Sequence, residues 1–434
     1  MNKTVLSLSF VVASRFFGLF IILPVFGLYA KDLDGSTTFL AGVAIGIYAI
    51  MQMILQAPFG AISDKFGRKN TMTFGLIIFI IGSLICAFTD SIYLMIFGRF
   101  LQGSGAVGGV AIAMISDFSK EEERGKAMAV MGMMIGLSFA LSMVLSPVLA
   151  SKFGLSSLFH LSAILTLVCI ILLYTLVPPE VKVKAHSENT PFLKILADKD
   201  ITVMNFTNFM QKMLMTMAFF IIPIVLTTNF GFDKDRFWIV YSVSMIFGMI
   251  AMGFAGFVGE KKGKSKEIML LGIVFFAMSY ALFSQNRYLF LLGIVVFFVG
   301  FCMHEPIMQS TTSKFAKAGE KGAVIGIFNA AGYFGSFVGG LAGGYFLQNL
   351  GLLALILTVL IISLVWFLLL LSLTNPAIFK NLYFDEKLNF SALNSLNGFI
   401  ESYQKGDSFV VKYNSNLTNK SEILEILGVN GGKN

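Results

Sequence analysis

The sequence predicts an all-α polytopic membrane protein of twelve transmembrane helices in two six-helix halves, followed by a small α+β domain. Three observations predict it. Of 434 residues, 56% are hydrophobic and only 13% charged, where soluble domains carry about 25% charge, and the mean hydropathy is +0.81. Twelve apolar stretches, each near the roughly 20 residues a bilayer core requires, alternate with short polar breaks. A signature of glycines and charges recurs once in each half.

The apolar stretches fall at 4–29, 38–62, 70–89, 92–116, 127–150, 157–177, 203–229, 237–259, 268–284, 289–312, 322–348 and 352–374. The first resembles a signal peptide in place only: Arg15 lies inside it, it runs past the usual apolar length, and no small-x-small cleavage site follows. It is expected to remain as the first helix. The alternate loops 65–69, 120–126, 182–199, 261–266 and 314–321 hold seventeen Lys and Arg, against five in the other set (Lys31, Lys152, Lys234, Arg236, Arg287). By the positive-inside rule this places both termini in the cytoplasm.

The longest break begins Pro178-Pro179, which cannot continue a helix, and it divides the chain into a six-helix bundle at 1–177, a linker at 178–200 and a second bundle at 201–375. From 376 to 434 hydropathy collapses. There Phe390–Leu396 suits a short helix, Gly398–Tyr403 and Ser408–Tyr413 alternate as a hairpin would, and Asn419–Leu427 has the pattern of a capped helix. The expected order is β-α-β-β-α. So small a core is marginal alone, which leaves three supports open: the transmembrane part, a cytoplasmic partner or a second copy.

The net charge of +8 is scattered through short loops without a basic patch interleaved with aromatics, so nucleic acid is not an expected partner. The three cysteines, Cys86, Cys169 and Cys302, stand singly in apolar stretches, which argues against a disulfide framework or a metal site. No nucleophile-base pair or phosphate loop marks an enzyme, and no cofactor motif is present.

Gly60-x-x-x-Asp64-Lys65-x-Gly67-Arg68-Lys69 follows the second stretch, and Gly256-x-x-x-Glu260-Lys261-x-Gly263-Lys264 follows the eighth. Gly60 would let a helix approach closely, Gly67 would make a tight turn, and Asp64 with Arg68 would form an ion pair, with Asp117 at the end of the fourth stretch as third partner. Such a cluster can hold one conformation and release it on movement or protonation. Deeper lie Arg15, Arg99 and Lys212, roughly a third to a half of the way along their segments and so near the midplane at 1.5 Å per residue. Charges there are costly and mark function by default. Glu305, between His304 and Pro306, is the expected counter-charge. Gln52, Gln56, Gln102, Asn205, Asn208 and Gln211 add hydrogen-bonding capacity, and His304 reads as a packing neighbour. Small-residue stripes, Gly132 to Pro147 on the fifth stretch and Gly326 to Gly344 on the eleventh, suit close helix packing.

Gly60-Ala-Ile-Ser-Asp64-Lys-Phe-Gly67-Arg68-Lys69 resembles the signature loop of the major facilitator superfamily, and Arg99-Phe-Leu-Gln102-Gly103-Ser-Gly105 resembles the helix-four motif of its proton-coupled drug antiporters. The tail from Gly398 to Leu427 is similar to the small ferredoxin-like cytoplasmic domain of one bacterial group in that branch. The resemblance implies a charge relay of Asp64, Arg68 and Asp117 stabilising an outward-open state, a bacterial inner membrane, and a buried acid, here Glu305, that carries the proton. It departs at Ser146-Pro147, where the antiporters have Gly-Pro. The expected activity is proton-coupled efflux of a small amphipathic or anionic compound. Symport of an organic anion, and a membrane sensor signalling through the tail domain, stand as alternatives.

Overall fold

The structure, a computed structural model, describes residues 3–118, 124–178, 195–283, 286–386, 388–405 and 408–429. The basic residues Lys120, Lys182, Lys184 and Lys194 and most of the expected linker lie outside these.

Helix α1 (Lys3–Phe20) breaks at Ile21–Ile22 and resumes as Leu23–Tyr29, because Pro24 opens the second piece and lacks the N–H that would continue the first. Then follow α2 (Thr38–Phe66), α3 (Arg68–Phe88) and α4 (Ile92–Ser104, resuming at Gly108–Asp117). The helix Arg124–Thr175 is two passes, α5 and α6, turning at Gly154, whose φ of 75° only glycine adopts readily. The second half comprises α7 (Lys199–Thr228), α8 (Phe237–Gly256, with a π turn Phe257–Lys261), α9 (Ser265–Leu282), α10 (Arg287–Phe315), α11 (Lys321–Tyr345, with a π turn Phe346–Leu350) and α12 (Gly351–Leu371). Nine continuous apolar runs among the described residues are long enough to cross a bilayer. Two of these, Lys126–Thr175 and Ala318–Ile378, hold two passes each, and α4 is interrupted, so the chain makes the expected twelve.

Proline and glycine account for most of the irregularity. Pro58, Pro147, Pro223 and Pro306 lie inside α2, α5, α7 and α10, and the break in α4 falls at Gly105-Ala106-Val107. Freed backbone groups at membrane depth persist only where protein or a cavity satisfies them.

The chain's ends share one side of the bundle with the α2–α3 and α8–α9 turns; we call it the terminal side. On the opposite side the halves meet closely. A Cβ on Gly42 or Gly340 would strike the backbone of the partner helix, and Gly344 lies against Thr38 and Phe39. Tyr241 of α8 donates to the Pro24 carbonyl at 3.0 Å, and Phe39 N–H donates to Gln348 Oε1 at 2.8 Å. On the terminal side Gly60, Gly132, Gly136, Gly253, Gly322 and Gly326 have open space where a Cβ would stand. The close approaches between the halves that glycines mark thus lie on the side opposite the chain's ends.

Two expectations fail. Gly60 makes no close approach: nothing lies within 4 Å of where its Cβ would stand. Gly132 and Gly136 pack nothing closely either. Instead α5 and α6 hold α1 through hydroxyls that donate to its carbonyls: Ser138 to Ala13, Ser142 to Phe17 and Ser162 to Gly18. The α11 stripe does pack, Gly332, Gly335 and Gly339 against α7, and Gly340 and Gly344 against α2.

The tail forms β1 (Phe379–Phe384), a 3₁₀ turn Phe390–Ser395, β2 (Phe399–Lys405), β3 (Ser408–Asn414) and α13 (Lys420–Leu427). The sheet is antiparallel in the order β1-β3-β2, as in the first three strands of a ferredoxin-like domain. The expected first helix is only this 3₁₀ turn, and no fourth strand occurs among the described residues. Leu382, Phe384, Leu393, Val411, Tyr413 and Ile423 fill its core, and Asn419 caps α13 by accepting from Glu422 N–H at 2.9 Å.

This domain leans on the transmembrane part. Lys412 donates to the Ala316 carbonyl at 2.7 Å, and both Glu401 carboxylate oxygens accept from Ala318 N–H, at 3.1 and 3.0 Å. Lys412 and Glu401 are 3.9 Å apart with side chains only 8% and 15% exposed, so the α10–α11 loop is gripped by a desolvated charge pair. Burial lowers the Lys412 pKa while Glu401 opposes the shift.

Candidate functional site

Three groups of polar side chains stand out, at three depths.

The first is at the terminal-side end of the first half. Gly67 has φ 97° and ψ 149°, a region essentially reserved to glycine, and it turns α2 directly into α3. That turn places Arg68 at the start of α3 and Asp64 one turn back on α2. Arg68 Nη1 pairs with Asp64 Oδ1 at 2.6 Å, and Arg68 Nε with Asp117 Oδ2 at 3.1 Å. Asp117 ends α4, the negative pole of the helix, while Arg68 begins α3, the positive pole. Each is ill placed for its own helix dipole, and the pair offsets both. Asp64 is 62% exposed against 24% for Asp117, so Arg68–Asp117 is the stronger contact. Ser63 Oγ accepts from Arg68 at 2.6 Å, and Lys69 donates to the Val177 carbonyl at 2.5 Å, tying α3 to the end of α6. All of these residues belong to one half. In the second half Gly263, at φ 68°, makes the matching turn, and Glu260 pairs with Lys314 at 3.0 Å.

The second group is wholly buried. Arg99 is 1% exposed; it donates to the Ala44 carbonyl at 3.3 Å and to Gln102 Oε1 at 2.7 Å, and its guanidinium lies 4.9 Å from the Tyr48 ring centroid. Gln102 donates to Ser83 Oγ at 2.7 Å, and Gln52 to the Gly103 carbonyl at 2.8 Å. These residues stitch α2, α3 and α4 together. The depth of Arg99 marked it for function, but α4 turns it toward a carbonyl of α2, and the packed helices enclose it.

The third group lies at the interface of the halves. Lys212 of α7 pairs with Glu305 of α10 at 2.6 Å, and Gln211 donates to the same carboxylate oxygen at 2.9 Å. The two charged side chains are 26% and 33% exposed, the only membrane-depth acid and base among the described residues that pair. Of the three cations for which Glu305 was the expected counter-charge, Lys212, on a helix of its own half, takes it, and Arg15 and Arg99 do not. Along α7 both polar atoms of the Asn205 side chain, Asn208 Oδ1 and Gln211 Oε1 have no hydrogen-bond partner, a concentration unusual for buried groups. His304 is a packing residue: its Nε2 bonds the Met269 carbonyl at 2.8 Å, and its ring meets Trp366 edge-on.

Arg15 stands apart from all three. It is 3% exposed and donates to Tyr48 Oη at 3.3 Å and the Gly105 carbonyl at 3.2 Å, with no acid in its reach among the described residues. Sequence patterns missed Tyr48 and the break in α4 beside it, although the run Gly103-Ser-Gly105-Ala-Val-Gly108-Gly109 carries the glycine content of a helix break.

Comparison with known proteins places this geometry. The family model described as "Major Facilitator Superfamily" matches residues 8–203 and again 201–394. The "Inner membrane transport protein YajR" of Escherichia coli is 32% identical over 433 residues, 96% of this chain and 95% of that one. The "Tetracycline resistance protein, class B" of Escherichia coli is 24% identical over 342 residues, 73% and 83% of the two chains. Among solved structures, a D-xylose-proton symporter superposes with a TM-score of 0.70 at 16% identity, covering 86% of this chain and 98% of that one.

Proposed function

This chain belongs to the Major Facilitator Superfamily and is a membrane transporter; from that premise we propose that it couples proton movement to efflux of a small amphipathic or anionic compound by alternating access across a bacterial inner membrane, its termini cytoplasmic. The observation that carries this reading is the partly exposed Lys212–Glu305 pair, in a bundle whose halves meet closely on the side opposite the chain's ends. A carboxylate in that position exchanges its proton with whichever side the space between the halves opens to. On protonation it releases Lys212. The likeness to a tetracycline resistance protein supports efflux, and the bacterial relative described as an inner membrane protein supports the location.

In this reading Asp64, Arg68 and Asp117 brace the ends of α2, α3 and α4 so that the first half moves as one body. Gly60 and Asp64 present a surface that α11 meets when the terminal side closes. Arg15, Lys212 and Glu305 line the pathway, and Arg99, Gln52 and Gln102 hold α2, α3 and α4 together behind it.

The experiment is proton movement in sealed proteoliposomes, reported by a pH-sensitive dye, as lipophilic cations, organic anions and sugars are added in turn. An antiporter moves protons opposite to its substrate, and a symporter moves them with it. Substrate-dependent proton movement in the antiport sense is the expected result; movement in the symport sense replaces efflux by anion uptake. Silence across the panel contradicts coupled transport and favours a sensor signalling through the tail domain.

A further inference from the structure

We propose that Arg15 and the start of the second segment of α4 form a binding site for the carboxylate of an organic anion with an aromatic body, a proposal that deepens the transport reading and rests on it. Four observations converge. Arg15 is 97% buried, its Nε has no hydrogen-bond partner, and both its hydrogen bonds among the described residues leave from Nη2. A permanently charged guanidinium so placed is under-satisfied.

Second, the helix Gly108–Asp117 begins at membrane depth with no side-chain cap, so the first N–H groups of Gly108, Gly109 and Val110 have no partner within the helix. That end carries the positive pole of the helix dipole and favours an anion. Third, Arg15 points at this end. The Cβ position of Gly108 has only Arg15 Nη1 near it, at 3.9 Å. Guanidinium and helix N-terminus thus face one small space that glycine keeps open, and an interrupted helix aimed at an anionic group is a recurrent device of transporters.

Fourth, the surroundings define the rest of the ligand. Phe16 lies 5.4 Å from the guanidinium, and from it a run of rings, Phe20, Phe139 and Phe301, leads across the interface of the halves. Phe301 is itself 5.3 Å below Lys212. A carboxylate seated at Arg15 would lay an aromatic or apolar body along these rings toward the Lys212–Glu305 pair. Tyr48 closes the site from α2, its hydroxyl accepting from Arg15 at 3.3 Å. The planar fork of arginine fits a carboxylate with two parallel bonds. Arg99, by contrast, already has Gln102, the Ala44 carbonyl and two rings, and it needs no ligand.

The test is calorimetric binding to the purified full-length protein, with benzoate, 1-naphthoate and indole-3-acetate as probes and 1-naphthylmethylamine and inorganic phosphate as controls. At least one aromatic carboxylate is expected to bind saturably, and Arg15→Gln and Gly108→Val are each expected to weaken it by roughly tenfold or more, the loss of one charge-assisted hydrogen-bonding pair. Arg15→Lys should recover only part. Melting temperature identifies any variant that fails to fold, and Gly108→Val then stands in for Arg15→Gln. No saturable binding by any carboxylate overturns the site, as does equal binding by Arg15→Gln and the wild type, or binding of phosphate or the amine in preference. Carboxylate binding that depends on Arg15 without substrate-dependent proton movement in vesicles leaves the site standing and defeats the transport reading alone.

Discussion

Replacing Glu305 by Gln is expected to reduce substrate transport driven by a pH gradient to background, a loss of at least about a hundredfold, while substrate binding persists. The reason is local. Glu305 accepts from Lys212 and Gln211 at one oxygen and is the one acid found in an ion pair at the interface of the halves among the described residues. Glutamine keeps the size and an acceptor for both donors, so the fold should tolerate it, but it cannot take up or release a proton. The alternation between a paired and a protonated state is then lost. Vesicle uptake measured with and without an imposed pH gradient separates the effects: downhill exchange survives and gradient-driven accumulation does not. Undiminished accumulation by Glu305→Gln would remove the carboxylate from the coupling step.

The second large effect concerns the closed side. Gly340→Leu should abolish transport and hold the protein open on the side opposite its termini. A Cβ at position 340 meets the Gly42 carbonyl oxygen and the backbone of Gly46, and backbone cannot move aside as a flexible side chain can. A leucine there therefore drives α11 and α2 apart. Ala41 and Ala44 of α2 are 0% exposed in the present conformation. In the Gly340→Leu background an Ala41→Cys probe should be modified by a membrane-impermeant maleimide added from that side, whereas in the parent it is shielded. Equal labelling of the two would mean that this contact is not the gate.

The fold was legible because the bilayer enforces a simple code: long apolar runs, breaks of a few residues, and lysines and arginines concentrated in alternate loops. The signature loops were legible too, since a glycine such as Gly67 at a helix-to-helix turn, an acid one turn before and a cation one residue after leave few alternatives. Pairings at membrane depth were not. Which of Arg15, Arg99 and Lys212 meets Glu305 depends on the rotation of α1, α4, α7 and α10 about their axes, and uniformly apolar helices carry little periodicity from which to read a rotation. Arg99 shows the consequence, since its depth suggested a pathway residue while its facing made it a tie between α2 and α4. Gly60 and Gly132 illustrate a further limit: a glycine permits a close approach, but the pattern does not say whether a neighbour makes it. The tail domain's grip on the α10–α11 loop through Glu401 and Lys412 lay beyond pattern reading because its partners are backbone groups, which any sequence supplies.

Alternation between two arrangements of the halves is the central claim, and paired spin-label distances test it most directly. One pair, at Lys65 and Ala323, spans the terminal-side mouth, and a second, at Asp32 and Asn349, spans the opposite side; all four positions are solvent-exposed or close to the surface. Between alkaline and acidic buffer, protonation at Glu305 should shift populations so that one distance shortens while the other lengthens, and Glu305→Gln should abolish the response. A single unchanged distance for each pair at every pH, or two distances that move in the same sense, would contradict alternating access in this protein.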